Sequence, residues 1–302
     1  MTRVVFMGSP DFAVPSLQAL ARHYHVAGVV TQPDRQAGRG RELKSPPVKT
    51  LALDLGLPII QPEKLRAPEA MEQLRLWAPD LIVVAAFGQI LRPEVLALPP
   101  RGSINVHASL LPRWRGAAPI QAALLTGDSQ TGVTIMQMDK GVDTGAMISQ
   151  SAIPIEGDDT GGSLFEKLSH LGADLLIETL PLYISGELQP QTQDESRASY
   201  APMLKKEDGL LDFTRPADEL VRRVRAFNPW PGAFMDYNGT ILKIHRAHAE
   251  SGKASAGQRL IYRNQAAVGA RGGLLILDEV QPGGKKSMSG QSFLAGAHGW
   301  EG

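Results

Sequence analysis

A chain of 302 residues with 43% hydrophobic content and 31 basic against 31 acidic side chains has the size and make-up of two globular domains. Zero net charge excludes a surface that holds nucleic acid over its whole extent, so any such contact must come from a local patch. The lack of cysteine excludes a disulfide framework and thiolate metal sites, and seven histidines without an HExxH pair give zinc chemistry no support.

The opening MTRVVFMGSPDFAVPSL reads as a strand running into a helix rather than a leader peptide. No apolar run reaches the roughly 18 residues of a membrane span, so a cytoplasmic protein without membrane contact is expected. Apolar, β-branched runs follow at Val4–Met7, Val26–Thr31, Leu81–Phe87, Ser103–Val106 and Val133–Met138, with helical stretches at Val14–His23, Pro68–Trp77 and Ala117–Leu125. Runs as continuous as LIVVAAF belong to strands buried on both faces, so the alternation predicts an α/β fold with a doubly wound, largely parallel sheet. Asp158–Thr160 caps a longer amphipathic helix carrying Leu164, Phe165, Leu168, Leu171, Leu175 and Leu176. Leu188–Ser199 is polar and reads as an exposed linker. Beyond about Lys206, the short strand-like pieces TILKIHRAH, QRLIYR, AAVGA and GLLILDEVQP predict a small β-barrel.

In open α/β sheets, ligands sit beyond the carboxyl ends of the strands. That rule selects Gly8–Phe12, Thr31–Lys49, Phe87–Ile90, Asn105–Pro112 and Asp139–Thr144. MGSPDF stands where a dinucleotide fold would place GxGxxG, and it supplies only Gly8; GxxxxGK[ST] is absent too. Neither a nicotinamide enzyme nor a P-loop NTPase is expected.

INVHASLLPRWRG sets Asn105 and His107 two apart, hence on one face of a strand end, with Ser109 next. A buried amide or imidazole without partners costs about 1–3 kcal/mol, so the pattern calls for a reason. A hydrogen-bonded cluster holding the following loop would supply one; a reaction site would supply another. The glycine-rich MDKGVDTGAM carries Asp139 and Asp143 in a setting that can turn a carboxylate back over the sheet. Such an Asp could orient His107 while Asn105 donates to a developing oxyanion. Without a positioned Ser or Cys, the set suits direct attack of an amine on an activated acyl group. A plain turn residue is the other reading of Asp143.

NVHASLLPRWRGAAPIQAAL and TGVTIMQMDKGVDTGAM, with VVFMGSPDFAVP, TQPDRQAGRGRELKSPPVK, RAFNPWPGAF and QPGGKKSMSG, resemble the methionyl-tRNA formyltransferases over essentially the whole chain. The Asn-x-His, SLLP and Asp-x-Gly core is shared by folate-dependent formyltransferases; the GRGR loop and the NPWP-containing C-terminal region point to the tRNA enzymes. The resemblance implies a formyltransferase-type, Rossmann-like catalytic domain over 1–187 that binds folate, a linker over 188–206 and an OB-like, tRNA-binding barrel over 207–302. It implies transfer of a formyl group from 10-formyltetrahydrofolate, without a metal, to the α-amine of methionyl initiator tRNA, by a monomer.

Matched residue by residue, Asn105, His107 and Asp143 correspond to the catalytic trio and Ser109, Leu110, Leu111 and Pro112 to the folate segment. Asn105 and His107 would bond the oxyanion, with Asp143 orienting His107. The loop holding Arg35, Arg39, Arg41, Lys44 and Lys49 matches the family's inserted loop, so Arg39, Arg41 and Lys44 are expected on the tRNA. Lys205, Lys206, Arg222, Arg223, Arg225, Lys243, His245, Arg246, Lys285 and Lys286 add local positive charge, and Phe227, Trp230 and Phe234 are expected in packing. Ala146 stands where many relatives carry an acid, and Arg113-Trp114-Arg115 has no assignment beyond flanking the substrate or anchoring the loop. Formyl transfer to a small amine such as an amino sugar is the rival enzymatic reading, and a non-enzymatic RNA-binding module is another.

Overall fold

Among residues 2–37, 42–297 and 299–301, which the computed structural model describes, the apolar runs of the first half become strands buried on both faces. These are β1 (Arg3–Gly8), β2 (His25–Val30), β6 (Leu81–Ala85), β7 (Ser103–His107) and β9 (Gln130–Gln137); the half-buried β5 (Ile59–Ile60) and the largely half-buried or exposed β10 (Met147–Pro154) complete the set. A short hairpin of β3 (Arg35–Ala37) and β4 (Glu42–Lys44) and the two-residue strand β8 (Arg115–Gly116) stand apart from them. The helices are α1 (Val14–His23), α2 (Pro47–Asp54), α3 (Pro68–Trp77), the single turn α4 (Pro93–Leu96), α5 (Pro119–Thr126) and α6 (Gly161–Ser185). Prolines open α2, α3, α4 and α5, because a first-turn N–H has no partner within the helix and the fixed φ suits that position.

The seven-stranded sheet runs β10-β9-β7-β6-β1-β2-β5. β1 lies parallel to β2 and β6, β2 to β5 and β6 to β7, whereas β9 is antiparallel to β7. All five residues of β6 are buried, and each large side chain so buried contributes about 1.5–3 kcal/mol relative to exposure. Val5, Met7, Ile82 and Val84 pack with Met71, Leu74 and Trp77 of α3 on one face. β6 stops two residues short of the expected run because Ala86 turns to φ 46°.

The chain forms two compact units. One comprises Met1–Gly116, Thr131–Ile153 and Phe165–Tyr200; the other comprises Ala117–Gln130, Pro154–Leu164 and Ala201–Gly302. Two segments expected in the first domain, including α5, thus lie in the second unit. The expected linker also differs from an exposed connection: Gln193 is only 4% exposed and is bonded on both sides of its amide. A buried polar side chain fully met by polar partners leaves no apolar trace in the sequence.

In the second unit, β12 (Ala233–Tyr237), β13 (Thr240–Glu250), β14 (Arg259–Tyr262), β15 (Gln265–Ala270), β16 (Gly273–Pro282) and β17 (Met288–Ser289) form one antiparallel sheet. α7 (Ala217–Ala226) buries Leu220 and Val224 in a core with Leu242, Ile244, Leu275 and Leu277, and α8 (Gly290–Gly296) adds Phe293. The two-residue β11 (Tyr200–Ala201) stands at the point where the chain passes from one unit to the next. Of the expected aromatic cluster, Phe227 is buried, but Trp230 is 54% exposed and so is not core.

Candidate functional site

β7 ends with Asn105 and His107 on one face, the imidazole buried and the amide half-buried. Val106 between them faces the opposite way, toward α6, where Gly172 allows a close approach: an added Cβ would lie 2.7 Å from Val106 Cγ1. The strand carrying the polar pair is therefore held from behind by a helix.

The register of β9 sets Thr134 opposite His107 and Gln137 opposite Ile104, so the chain leaves β9 beside the start of β7. The strand-end rule thus selects the wrong edge for Asp139–Thr144, and the loop corrects this by doubling back. Asp139 closes the turn, its Oδ1 accepting from the Gly141 N–H at 2.9 Å and the Thr144 hydroxyl at 2.7 Å. Gly145 passes so near the Gln137 carbonyl that a Cβ would sit 1.9 Å from it. Asp143 takes up φ 53°, a left-handed conformation that Asp tolerates better than most residues.

This path sets the Asp143 carboxylate against three groups. Oδ2 accepts from the Gly116 N–H at 2.9 Å and lies 3.6 Å from His107 Nδ1, while Oδ1 accepts a long bond of 3.4 Å from Asn105 Nδ2. His107 Nε2 is 3.0 Å from the Trp114 carbonyl. A carbonyl only accepts, so Nε2 carries a hydrogen and Nδ1 is the nitrogen turned toward Asp143. Asn105 uses one of its two amide hydrogens on Asp143. The three expected residues do meet, and His107 Nε2 is turned to the Trp114 carbonyl.

The SLLP segment is partly internal. Ser109 is 1% exposed, its hydroxyl donates to the Arg113 carbonyl at 2.6 Å and its own carbonyl accepts from Thr134 Oγ1 at 2.7 Å. Leu111 is 3% exposed, its N–H bonded to Thr134 Oγ1 and its carbonyl to Gln150 Nε2. These two side chains anchor the loop, whereas Leu110 and Pro112 are half-buried. In the loop after β6, Phe87 is buried and its carbonyl accepts from Gln32 Nε2. Ile90 is exposed and borders a cleft of about 570 Å³ that is also lined by Lys64, Arg66, Arg75, Gln89 and Arg92. The trio is not among this cleft's lining residues.

Arg39 and Arg41 lie outside the described residues; Lys44 is exposed on β4. Lys49, from the same basic run, is committed: its Nζ meets Asp34 Oδ2 at 2.6 Å, and Gln61 Nε2 meets Oδ1 at 2.7 Å. The Gln61 and Lys49 bonds hold the Asp34 carboxyl below its ordinary range. In the second unit, three candidate tRNA cations have internal duties. Arg222 Nε donates to the Leu125 carbonyl, Arg225 to those of Asp159 and Glu156, and Arg223 lies over the Phe227 ring. Burial pulls the Arg225 guanidinium below its ordinary range, opposed by Asp159 and Asp158. Among the described residues, no helix is long and apolar enough to cross a membrane, and no cluster of three His, Asp or Glu could hold a metal.

The groups missed in the sequence are the Trp114 carbonyl, the Gly116 N–H and Gln193. Backbone donors and acceptors carry no residue signature, and only the odd pairing of charge with apolar context in RWRG marked the place.

Comparison with known proteins accords with this geometry. Residues 2–180 match the formyl transferase family and 203–298 the formyl transferase C-terminal domain. The methionyl-tRNA formyltransferase of Myxococcus xanthus is 50% identical over 295 residues, 97% of this chain and 95% of that one. The methionyl-tRNA formyltransferase of Bacillus subtilis is 49% identical over 303 residues, 99% of this chain and 96% of its own. The solved N-formyltransferase of Helicobacter canadensis, in complex with folinic acid and dTDP-3-aminofucose, superposes with a TM-score of 0.67 at 20% identity, covering 93% of this chain and 100% of that one. That last likeness concerns the fold alone. With near-half identity along almost its full length, the chain belongs to the methionyl-tRNA formyltransferase family.

Proposed function

We propose that Asn105, His107 and Asp143 carry out the reaction of this family, the transfer of a formyl group from 10-formyltetrahydrofolate to the α-amine of methionyl initiator tRNA during translation initiation. The observation that carries the mechanism is the convergence of Asn105, His107 and the Gly116 N–H on one carboxylate. The neutral amine attacks the formyl carbon, forming a C–N bond as the carbonyl oxygen gains charge. Asn105 offers that oxygen its second amide hydrogen. The Asp143–His107 pair takes the proton released by the amine and returns one to the folate nitrogen as the C–N10 bond breaks. With Nε2 bonded to the Trp114 carbonyl, His107 works through Nδ1 in this reading.

Leu110 and Pro112 offer apolar contact to the donor, Ser109 and Leu111 shape the loop beneath it, and the cations lining the cleft beside Ile90 suit the carboxylates of the folate tail. Lys44, with Arg39 and Arg41, meets the tRNA, where arginine pairs with phosphate or stacks on an unpaired base. The enzyme works as a cytoplasmic monomer. An amino-sugar formyltransferase can share this two-part fold, and sequence identity separates the readings: 20% to the Helicobacter enzyme against 49–50% to the tRNA enzymes. A formyl-transfer assay comparing charged initiator tRNA, charged elongator methionine tRNA and free amines tests the assignment. Initiator tRNA should be the preferred acceptor; activity confined to a free amine would overturn it.

A further inference from the structure

Arg115 is the largest fully buried side chain among the described residues. A guanidinium removed from water is costly unless its donors are met, and here all five hydrogens have acceptors. Nε and Nη2 donate to Gln193 Oε1 at 3.0 and 2.9 Å. Nη2 and Nη1 donate to the two Glu195 oxygens at 2.6 and 2.9 Å, and Nη1 reaches Tyr200 Oη at 3.5 Å. Only a planar fork satisfies such a set, and a lysine could not.

Gln193 is equally committed. While its Oε1 receives Arg115, its Nε2 donates to the Asp143 carbonyl at 2.8 Å and the Gly145 carbonyl at 2.7 Å. Flipping the amide would set oxygen against carbonyls and NH₂ against a guanidinium, so its orientation is fixed. It grips the backbone on both sides of Thr144, where Asp143 is held in its left-handed conformation. Arg115 also acts through its neighbours in the chain: the Trp114 carbonyl takes His107 Nε2, and the Gly116 N–H takes Asp143 Oδ2. The Trp114 and Arg115 N–H groups are tied to the hydroxyl and carbonyl of Ser199 at 3.0 and 2.9 Å.

We propose that Arg115 and Gln193 are positioning residues of the formyl transfer, which fix His107 and both the backbone and the carboxylate of Asp143 in one frame. The inference rests on the assignment of catalysis to the trio. A buried arginine that served stability alone would have no need of the two bonds that leave Gln193 for the Asp143 loop.

Gln193→Glu tests it. The variant keeps an acceptor for Arg115 but turns an oxygen onto two carbonyls, so the Asp143 loop must move while the arginine stays paired. Displacement of a reacting group by about 1 Å can cost about 10²-fold in rate. The expected result is a kcat lowered by about 10–10²-fold and a displaced pH profile of kcat. KM for 10-formyltetrahydrofolate and for charged tRNA should stay within about threefold, because neither ligand touches Gln193 in this scheme. A purely structural residue would lower the melting temperature and leave kcat per folded enzyme and the pH profile as they were. Arg115→Lys should repeat the kcat loss in a weaker or stronger form; if it does not fold, the Gln193 variant decides alone. His107→Ala, measured in parallel, separates the two levels. Normal turnover there refutes the catalytic assignment, whereas an inactive His107→Ala beside a fully active Gln193→Glu with unchanged pH profile refutes only the positioning role.

Discussion

Replacing Asp143 by Asn removes one negative charge 3.6 Å from His107 Nδ1 and leaves the side-chain volume unchanged. At an effective dielectric constant of about 20, unit charges that far apart interact by about 4–5 kcal/mol. Side-chain exposures of 16% and 6% leave little water to screen them. The asparagine oxygen can still serve one donor, but Gly116 N–H and Asn105 Nδ2 occupy different oxygens of the carboxylate, so one of them must face an NH₂ group. Allowing for the bond that survives, a loss of about 3 kcal/mol from the transition state is expected, roughly 10²-fold in kcat. Single-turnover formyl transfer to charged initiator tRNA measures it, with KM for each substrate and a thermal melt recorded alongside. Both KM values should change little, since the carboxylate is assigned to proton movement rather than binding. A kcat within threefold of the parent across the pH range would falsify the role given to Asp143.

The folate segment divides into packing and contact. Leu111→Ala should cost about 2–4 kcal/mol of stability in a denaturant titration with the donor KM unchanged, and Leu110→Ala should raise that KM with little loss of stability; the reverse pattern would exchange their roles. Arg39→Ala and Lys44→Ala should each raise KM for charged tRNA while donor affinity holds, and a parallel loss of donor affinity would count against the loop's assignment. Glu195 is held below the ordinary carboxylate range, chiefly by its hydrogen bonds from Arg115. Its stabilising effect is therefore complete above an unfolded pKa of about 4.3 and disappears as pH falls through the lower folded value. Urea midpoints should drop more steeply from about pH 5 to pH 3 in the parent than in Glu195→Gln, and parallel slopes would refute this.

The parallel part of the sheet was legible because β1, β2 and β6 are apolar at nearly every position, as burial on both faces requires. The proposed catalytic pair was legible for the opposite reason: Asn105 and His107 break the apolar rule at the spacing that shares a face. The direction of β9 was not, since an antiparallel strand buried on both faces has the same composition as a parallel one. Gln193 and Arg115 look like solvent-exposed residues in sequence, because partner-to-partner satisfaction inside the protein is a property of two distant segments. The surface charges misled in the same way: Arg222 and Arg225 resemble a nucleic-acid patch, but they reach backbone carbonyls far away in the chain. The first turn of α2 and the paired strands β3 and β4 were hidden within a run that read as basic loop.

Gln193, which bonds the Asp143 loop, and Ser199, which tethers Trp114, come 50 and 85 positions after the residues they hold. A chain made from its amino end therefore has Asn105, His107 and Asp143 before it has Gln193 and Ser199. Synthesis halted near residue 187 would leave a polypeptide with all three side chains of the proposed trio, but with Arg115 deprived of Gln193 and Glu195 and the Trp114–Gly116 strip without its tether. On the proposed assignment, competence for formyl transfer arrives late in translation, when the polar segment that looked like a mere connection has closed over the arginine.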